Sequence, residues 1–296
     1  MFVACDQTRV LSYTVHAEAG GIGKTTLAAN LAVADARAGR DVLVVDLDPQ
    51  RANLSRLLGV DEHRNDTDAD HLVRHLIERP RGPFDNLVET SEGVDIVPAH
   101  SVLERIGDLL ARRRQEAEDL GESWNQNVQL LRVLREAGVN DRYDTLIVDP
   151  PAAADVKLYN AVHATRNLVV PFEPSGKGTE SIRGLEDLVT GMESSLDISV
   201  GILAVVPMGF RDTTSQQEAL AELGEMTFSH PVTIRQRGAL FESCWDVQCS
   251  AFEYVESHRS RVREYEQDTL RKLEQLATFL RQYNTDSDGG ESDAPR

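Results

Sequence analysis

The chain has 296 residues, of which 41% are apolar, and a formal net charge of −18. This length and apolar content are sufficient for one large α/β domain with its own core. The sequence has no run of eighteen apolar residues, no secretory signal and no paired cysteine spacing, which argues against a membrane-spanning chain, a secreted chain and a cysteine metal site. We therefore expect a cytoplasmic protein in which Cys5, Cys244 and Cys249 are reduced thiols.

The charged residues are mostly acidic, and lysine is rare among the basic ones. The chain has 49 Asp and Glu against 31 Lys and Arg, and its lysines are Lys24, Lys157, Lys177 and Lys272. A dense carboxylate surface is tolerated in molar salt, where the Debye length is about 3 Å and self-repulsion is screened. The composition thus favours a halophile's cytoplasm, with an ordinary acidic protein as the alternative.

Short apolar runs that alternate with helical spacing predict a β-α-β order from the start of the chain. The first strand is expected at Leu11–His16, a helix at Lys24–Ala38 and a second strand at Asp41–Asp48. Further strands are expected at Val94–Pro98, Thr145–Asp149, Asn167–Phe172 and Val200–Pro207. Continuous apolar runs are typical of strands buried on both faces, so the pattern predicts a doubly wound, mostly parallel α/β sheet flanked by helices.

The remaining segments are expected to decorate this sheet. A helical insertion is predicted around residues 61–140, with helices at Ala69–Arg79, Val102–Leu120 and Asn127–Ala137. Apolar residues at helical spacing predict one long amphipathic helix over Val255–Tyr283. Residues 1–10 are expected to be an N-terminal extension. Residues 284–296, NTDSDGGESDAPR, have nothing to bury and are expected to be a disordered acidic tail.

A glycine-rich loop, Gly20 to Thr26 (GGIGKTT), lies between the first strand and the first helix. Glycines let backbone N–H groups approach phosphates, and the positive end of the helix N-terminus favours an anion there. Lys24 is placed to reach β and γ phosphate oxygens, and Thr25 is the natural Mg²⁺ ligand. A chance match in a loop of other purpose is the alternative, which the strand, loop and helix context disfavours.

Three aspartates lie at predicted strand ends. The second strand ends in Asp46-Leu47-Asp48-Pro49-Gln50, and period-two alternation places both of its carboxylates on one side of the strand. The run ending at Asp149 supplies a third, in the position of the Mg²⁺-side carboxylate of phosphate-loop enzymes. One of the first two is suited to order a Mg²⁺ shell and the other to orient water, whereas two solvated aspartates at a capped strand end are the alternative.

These pieces resemble the ParA/Soj/MinD family of deviant phosphate-loop ATPases. The resemblance extends from about Leu11 to Tyr283, and it is carried by GGIGKTT, VVDLDPQ, Asn53-Leu54-Ser55, Leu58-Gly59 and IVDPP. It implies a SIMIBI-like P-loop fold that binds ATP and Mg²⁺. The implied roles are phosphate contacts from Gly20, Gly21, Ile22, Gly23, Lys24 and Thr26, Mg²⁺ contacts from Thr25, Asp46 and Asp149, water orientation by Asp48, and adenine contacts from Pro207 and Met208.

The loop departs from the family pattern K-G-G-x-G-K-T-T at its first position. The first lysine of that pattern contacts the partner's phosphates across an ATP-sandwiched dimer, and here Ala19 stands in its place, next to Glu18. Charges about 4 Å apart interact by about 4 kcal/mol at an effective dielectric near 20, so the loss of this cation is expected to slow hydrolysis by decades unless it is replaced. Lys177, just beyond a strand end, and Lys157 are the candidate replacements, and a solvated lysine on an ordinary loop is the alternative for each.

The resemblance also implies partners. ParA-like members bind DNA non-specifically as ATP dimers and are stimulated by a ParB-like protein, whereas MinD-like members hold a membrane through a C-terminal amphipathic helix. No basic and apolar anchor follows Tyr283, which disfavours the membrane. Candidate DNA contacts are Arg259, Arg261 and Arg263, with Arg235 and Arg237 as a second small cluster. Interleaved acidic residues allow a salt-bridged surface instead.

Three functions remain open at this point. The first is an ATP-hydrolysing dimer switch for plasmid or chromosome partition that binds DNA in its ATP state, associates with nucleoid or plasmid, and turns over slowly until a partner stimulates it. The second is an ATP-gated switch that positions a protein cargo without DNA, and the third is a slow or inactive ATP-binding scaffold. The complete set of Asp46, Asp48 and Asp149 favours the first over the third, because a scaffold has no need of a water-orienting carboxylate.

Overall fold

The computed structural model describes residues 10–51 and 53–286 of the chain. Its strands are β1 Leu11–Val15, β2 Val42–Asp46, β3 Glu89–Ser91, β4 Val94–Val97, β5 Thr145–Asp149, β6 Asn167–Phe172 and β7 Gly201–Pro207. They form one seven-stranded sheet in the order β3-β4-β2-β5-β1-β6-β7. All neighbours are parallel except β3 and β4, which are antiparallel. The predicted mostly parallel α/β sheet is therefore confirmed.

Helices cover both faces of this sheet. They are α1 Lys24–Arg37, α2 Leu54–Leu57, α3 Leu72–Leu76, α4 Ile106–Asp119, α5 Gln129–Glu136, α6 Val156–Thr165, α7 Gly176–Arg183, α8 Leu185–Leu196, α9 Thr214–Gly224, α10 Gly238–Val247, α11 Ala251–Glu253 and α12 Glu264–Asp286. Short 3₁₀ turns lie at Phe84–Leu87, Ser101–Arg105 and Val139–Asp141, and a π-helical turn lies at Tyr254–His258. Among the described helices, none is long and apolar enough to cross a membrane.

Alternate residues of the strands enter different apolar clusters, which explains why the strands are apolar throughout. Tyr13 and Val15 of β1 pack in one cluster with Leu27 of α1 and Leu276 of α12. On the opposite face, β2 and β5 pack against α3, α4 and α5, and β6 packs against α7 and α8. Burial of each large apolar side chain contributes about 1.5–3 kcal/mol, so the central strands are held from both sides.

The register of the sheet brings the site together. Asp46 at the end of β2 pairs with Asp149 at the end of β5, and β5 also pairs with β1, from which the glycine-rich loop continues. Ligands of doubly wound sheets bind outside the carboxyl ends of such strands. The topology therefore places the glycine-rich loop and both strand-end aspartates at one edge.

The prediction of one long helix over Val255–Tyr283 is wrong in its first part. The chain forms the π-helical turn Tyr254–His258, leaves helical geometry at Arg259, and begins α12 only at Glu264. Arg259 turns back so that its guanidinium pairs with Glu266 at 2.6 Å, and Glu266 is only 1% exposed. Helical spacing of apolar residues carries no information about such an ion pair, which joins the two sides of the break.

The other predicted boundaries shift as well. The range 61–140 contributes α3, α4 and α5, yet it also contains β3 and β4, so it is a part of the sheet edge and not only a helical insertion. The hairpin strand β3 was not predicted, because its residues ETS have no apolar pattern. Helix α12 runs to Asp286, three residues into the range expected to be a disordered tail. The rest of that tail and residues 1–9 of the expected extension lie outside the described residues.

Candidate functional site

The glycine-rich loop has the geometry that an anion requires. Gly21 and Gly23 have φ values of 77° and 93°, a left-handed conformation that favours glycine. A Cβ at Gly23 would also lie 3.2 Å from the Cε of Met208. Helix α1 begins at Lys24 without a side-chain cap, so its first N–H groups are free of side-chain acceptors. Open N–H groups at a helix N-terminus form a site for phosphate.

Lys24 lies against this loop. Its side chain is largely buried, and its Nζ donates a hydrogen bond to the carbonyl of Ala19 at 3.0 Å. Burial lowers the pKa of Lys24, while the carboxylates of Asp149 and Asp48 act in the opposite direction. The ammonium is thus held between the loop and the acidic strand ends, as the predicted phosphate contact requires.

Asp46 is completely buried and its oxygens are already engaged. Its Oδ2 accepts hydrogen bonds from the backbone N–H of Ser55 at 2.8 Å and from the Ser55 hydroxyl at 2.6 Å, and its Oδ1 accepts one from the N–H of Asp48 at 3.0 Å. Burial raises the pKa of Asp46 to about 7 despite these bonds, which lower it. Asp46 therefore fixes the chain after β2. Ser55 was part of the matched sequence pieces, but its role was not predicted.

Asp149 lies opposite Asp46 in the sheet and has no such partners. It is 1% exposed, and neither carboxylate oxygen makes a hydrogen bond of regular geometry with a described residue, although the Thr25 hydroxyl is close enough to act on the carboxylate. Burial, and next the nearby Asp46, raises the pKa of Asp149 well above its usual range, while Thr25 acts to lower it. A buried carboxylate without partners is costly, so an oxygen-seeking cation at this position would relieve it. The donor set of Asp149 and Thr25 thus fits Mg²⁺.

Asp48 is half-buried at the same edge. Its Oδ1 accepts a hydrogen bond from the N–H of Gln50 at 2.9 Å, and the backbone carbonyl of Asp48 accepts one from Asn53. Burial raises the pKa of Asp48, and the nearby cations Lys24 and Lys157 act to lower it. The carboxylate is therefore fixed by its own turn at a distance from which both lysines influence it.

The two candidate replacement lysines have different surroundings. Lys157, in the first turn of α6, forms an ion pair with Asp155 at 2.5 Å. Lys177, in the first turn of α7, is exposed and has no ion pair with any residue that the structure describes. It borders the same pocket as Glu18 and Ala19. Both lysines lie near the site, and Lys177 is the one without a carboxylate partner.

Met208 lies beside the loop, since it would meet a Cβ at Gly23, and it follows Pro207 at the end of β7. Its N–H is bonded to the carbonyl of Phe172 at the end of β6. The predicted adenine contacts therefore lie at the same sheet edge as the phosphate loop, on the side of β6 and β7. No contact of the described residues distinguishes an adenine from another ring there.

The candidate DNA contacts differ in their exposure and in the contacts that their guanidinium groups make. Arg259 is committed to Glu266 and lies over the Tyr254 ring at 4.8 Å, so it is a structural residue. Arg261 is exposed, and Arg263 is exposed with its guanidinium on the Tyr265 hydroxyl. The two arginines of the second predicted cluster have different contacts. Arg237 lies over the Tyr265 ring at 5.1 Å, while Arg235 pairs with Asp212.

One buried titratable residue of this region was not singled out from the sequence. His16, directly after β1, is 1% exposed, and neither of its ring nitrogens has a hydrogen-bond partner among the described residues. Burial, and next the nearby Lys24, lowers the pKa of His16 to about 4. A histidine at the end of an apolar run is the sequence signal that was available.

Comparison with known proteins agrees with this geometry. A family model described as an AAA domain matches residues 11–200. The chain is 32% identical over 215 residues to the chromosome-partitioning ATPase Soj of Thermus thermophilus, an alignment covering 71% of this chain and 75% of that protein. It is 26% identical over 228 residues to the maintenance of carboxysome distribution protein A of Synechococcus elongatus, covering 75% of this chain and 84% of that protein.

A solved structure shares the fold over nearly the whole chain. The septum site-determining protein MinD of Pyrococcus horikoshii, complexed with Mg-ADP, has a TM-score of 0.66 and 19% identity to this chain. The match covers 95% of this chain and 98% of that one. The two chains therefore share one fold.

Proposed function

The chain belongs to the ParA/Soj/MinD family of P-loop ATPases, and from that premise we propose that it is a Mg²⁺-dependent ATPase that switches a dimer between states in plasmid or chromosome partition. The observation that carries the proposal is the pairing of two strand-end aspartates with opposite surroundings. Asp46 is saturated by Ser55 and Asp48, whereas Asp149 has two free oxygens next to Thr25. Asp46 therefore holds the chain of the site in place, and Asp149 is available to bind a ligand there.

Each residue then has a role in phosphoryl transfer to water. The N–H groups at the start of α1 and the Lys24 ammonium hold the phosphates of ATP. Thr25 and Asp149 would hold Mg²⁺, which would neutralise phosphate charge when bound, and Asp46, whose oxygens are engaged by Ser55 and Asp48, supports that site through the chain after β2. Asp48 accepts a hydrogen bond from the attacking water and orients it toward the γ phosphate. Pro207 and Met208 flank the adenine.

The charge that the loop lacks at Ala19 is supplied by Lys177 in this proposal. Lys177 is exposed, has no ion pair within the described part of the chain, and borders the pocket next to Ala19, whereas Lys157 is paired with Asp155. Lys177→Ala is expected to lower kcat at least tenfold with little change in ATP affinity. Lys157→Ala tests the second candidate, and Lys272→Ala, whose lysine pairs with Asp268, is the matched control. Wild-type turnover in both the Lys177 and the Lys157 variants would exclude these replacements.

The partners follow from the same family. We propose a homodimer in the ATP state, non-specific DNA as the surface that it binds, a ParB-like protein as the stimulator of slow turnover, and a cytoplasmic location on nucleoid or plasmid. The exposed guanidinium group of Arg261 supports DNA contact, and Arg263 is exposed beside it, with its guanidinium on the Tyr265 hydroxyl. Arg259 is omitted from this surface because its ion pair is buried.

A second candidate function is an ATP-gated switch that positions a protein cargo without DNA. The similarity to the maintenance of carboxysome distribution protein A supports a positioning function, and the net charge of −18, which opposes approach to a polyanion, supports one without DNA. A slow or inactive ATP-binding scaffold is the third candidate. The geometry argues against that scaffold, because Asp48 is held in place for a step that a scaffold does not perform.

DNA binding in matched salt separates the first two functions. Duplex DNA is titrated with the protein in ATP and in ADP, at low and at molar KCl, with Arg261→Glu combined with Arg263→Glu as the test variant. Partition predicts tighter binding in ATP that the double variant reduces. The control is Arg105→Glu combined with Arg112→Glu, which adds the same charge at exposed positions outside the basic run of residues 257–272. Absence of ATP-dependent binding in the wild type would favour the positioning function.

A further inference from the structure

A pocket of about 190 Å³ lies beside the first half of the glycine-rich loop. The end of β1, the end of β6, helix α7 and the start of α8 form its walls. Apolar side chains that line it are Val170, Phe172, Ile182, Leu185 and Leu188. Gly20 and Ile22 of the loop border the pocket, whereas Lys24, Thr25, Asp48 and Asp149 are not among its lining residues within the described chain. Apolar protein cavities of about 150 Å³ bind benzene, so this space is large enough for one aromatic ring.

His16 is the most deeply buried polar side chain of the wall. Thr14 lies on the same face of β1 by strand alternation, and its hydroxyl is 2.8 Å from that of Thr165 at the end of α6, so this face is the one covered by α6 to α8. A neutral imidazole has one N–H donor and one acceptor nitrogen, and both are buried here without partners in the described structure. A buried polar group without a partner is destabilising, so His16 favours a ligand that provides a hydrogen bond.

The mouth of the pocket does not select for charge. Lys177 is one of its residues, but the carboxylates of Glu18 and Glu173 lie there too. The interior is apolar, so a charged group would lose its hydration without an ionic partner inside. His16 is itself neutral, since its pKa is lowered to about 4. The chemistry of the walls therefore fits a neutral molecule.

We propose that this His16 pocket binds a small neutral molecule with one apolar ring and one hydroxyl group. The ring packs between Phe172, Ile182 and Leu185, and the hydroxyl forms a hydrogen bond with His16. The ring nitrogens are shielded from solvent, so the imidazole turns about its χ2 torsion, which has a broad energy profile, to meet the hydroxyl. This site goes beyond the proposed ATPase function and needs no nucleotide.

Phenol and benzene are the probes, titrated by ligand-observed NMR into the full chain without nucleotide. We expect saturable phenol binding at one site per chain. His16→Leu keeps an apolar wall and removes the hydrogen bond, so phenol affinity is expected to fall three- to tenfold while benzene affinity does not fall. Leu188→Trp fills the pocket from its half-buried edge and is expected to lower both affinities at least tenfold. Leu270→Trp, on α12, is the matched control and leaves both unchanged.

The outcomes are decisive even if one variant does not fold. If His16→Leu does not fold, the wild type is labelled with ¹⁵N-histidine and the side-chain nitrogen chemical shifts are measured instead. The resonances of one buried neutral histidine are expected to shift when phenol is added. Absence of saturable phenol binding, or equal phenol affinity in the wild type and His16→Leu, would overturn the proposal. Competitive displacement of phenol by ADP would also overturn it, because the pocket would then belong to the nucleotide site.

Discussion

Ser55→Ala tests how the strand-end carboxylates are held. The Ser55 hydroxyl donates to Asp46 at 2.6 Å and accepts from the N–H of Ala99 at 2.8 Å, and Ser55 is fully buried. The substitution removes a hydrogen bond to a carboxylate, worth about 1.5–3 kcal/mol, and leaves a buried N–H without an acceptor, at about 1–3 kcal/mol. The free energy of unfolding is therefore expected to fall by about 2.5–6 kcal/mol at pH 8.

The cost depends on pH with a definite sign. The pKa of Asp46 in the folded protein is about 7, above the value of about 3.9 in an unfolded chain, so folding takes up a proton between these values and the contribution of Asp46 to stability falls as pH rises. The Ser55 hydroxyl stabilises the ionised carboxylate of Asp46. Its loss therefore raises the pKa of Asp46 further and destabilises the protein mainly where Asp46 is ionised. The cost is expected to be about 1 kcal/mol smaller at pH 5, where Asp46 is protonated.

Denaturant unfolding of the wild type and Ser55→Ala at pH 5 and pH 8 measures both quantities. Ser243→Ala is the control, because the Ser243 hydroxyl bonds only to a carbonyl of its own helix and its loss is expected to cost less than about 0.5 kcal/mol. A cost below about 1 kcal/mol for Ser55→Ala at pH 8, or one that is equal at the two pH values, would refute the role given to Ser55.

Three further outcomes are expected. Arg259→Ala leaves the buried Glu266 unpaired and is expected to lower the free energy of unfolding by about 3–5 kcal/mol in denaturant. The double variant Arg259→Met with Glu266→Leu is expected to lower it less. Equal losses would contradict a buried ion pair. Burial, and next His100, lowers the pKa of His71 to about 4, so the free energy of unfolding is expected to fall as pH drops from about 6.5 to 4. His71→Phe should make this dependence on pH shallower in unfolding experiments. An unchanged dependence would contradict this. Since the net charge is −18, we expect the thermal midpoint to rise from 0.1 to 3 M KCl, and a constant or falling midpoint would argue against a halophilic protein.

The strands and the phosphate loop were predictable because both depend on local patterns. Continuous apolar runs located β2 and β5, whose ends bring Asp46 and Asp149 to one sheet edge, whereas strand alternation does not reach Asp48, because β2 ends at Asp46. The division of labour between Asp46 and Asp149 was not predictable, because it depends on Ser55 returning to β2 from nine residues away. Arg259 is a similar case. The basic run that contains it indicated a DNA surface, but Arg259 forms an ion pair with Glu266 in the folded chain.

Single-turnover hydrolysis of ATP by the wild type and Asp48→Asn is the most direct test of the central claim, that this chain carries a working Mg²⁺-dependent ATPase site. We expect Mg²⁺-dependent hydrolysis by the wild type, and at least a hundredfold slower hydrolysis by Asp48→Asn with ATP affinity within about threefold of wild type. Equal rates for the two proteins, or no hydrolysis by the wild type with and without its stimulator, would contradict it.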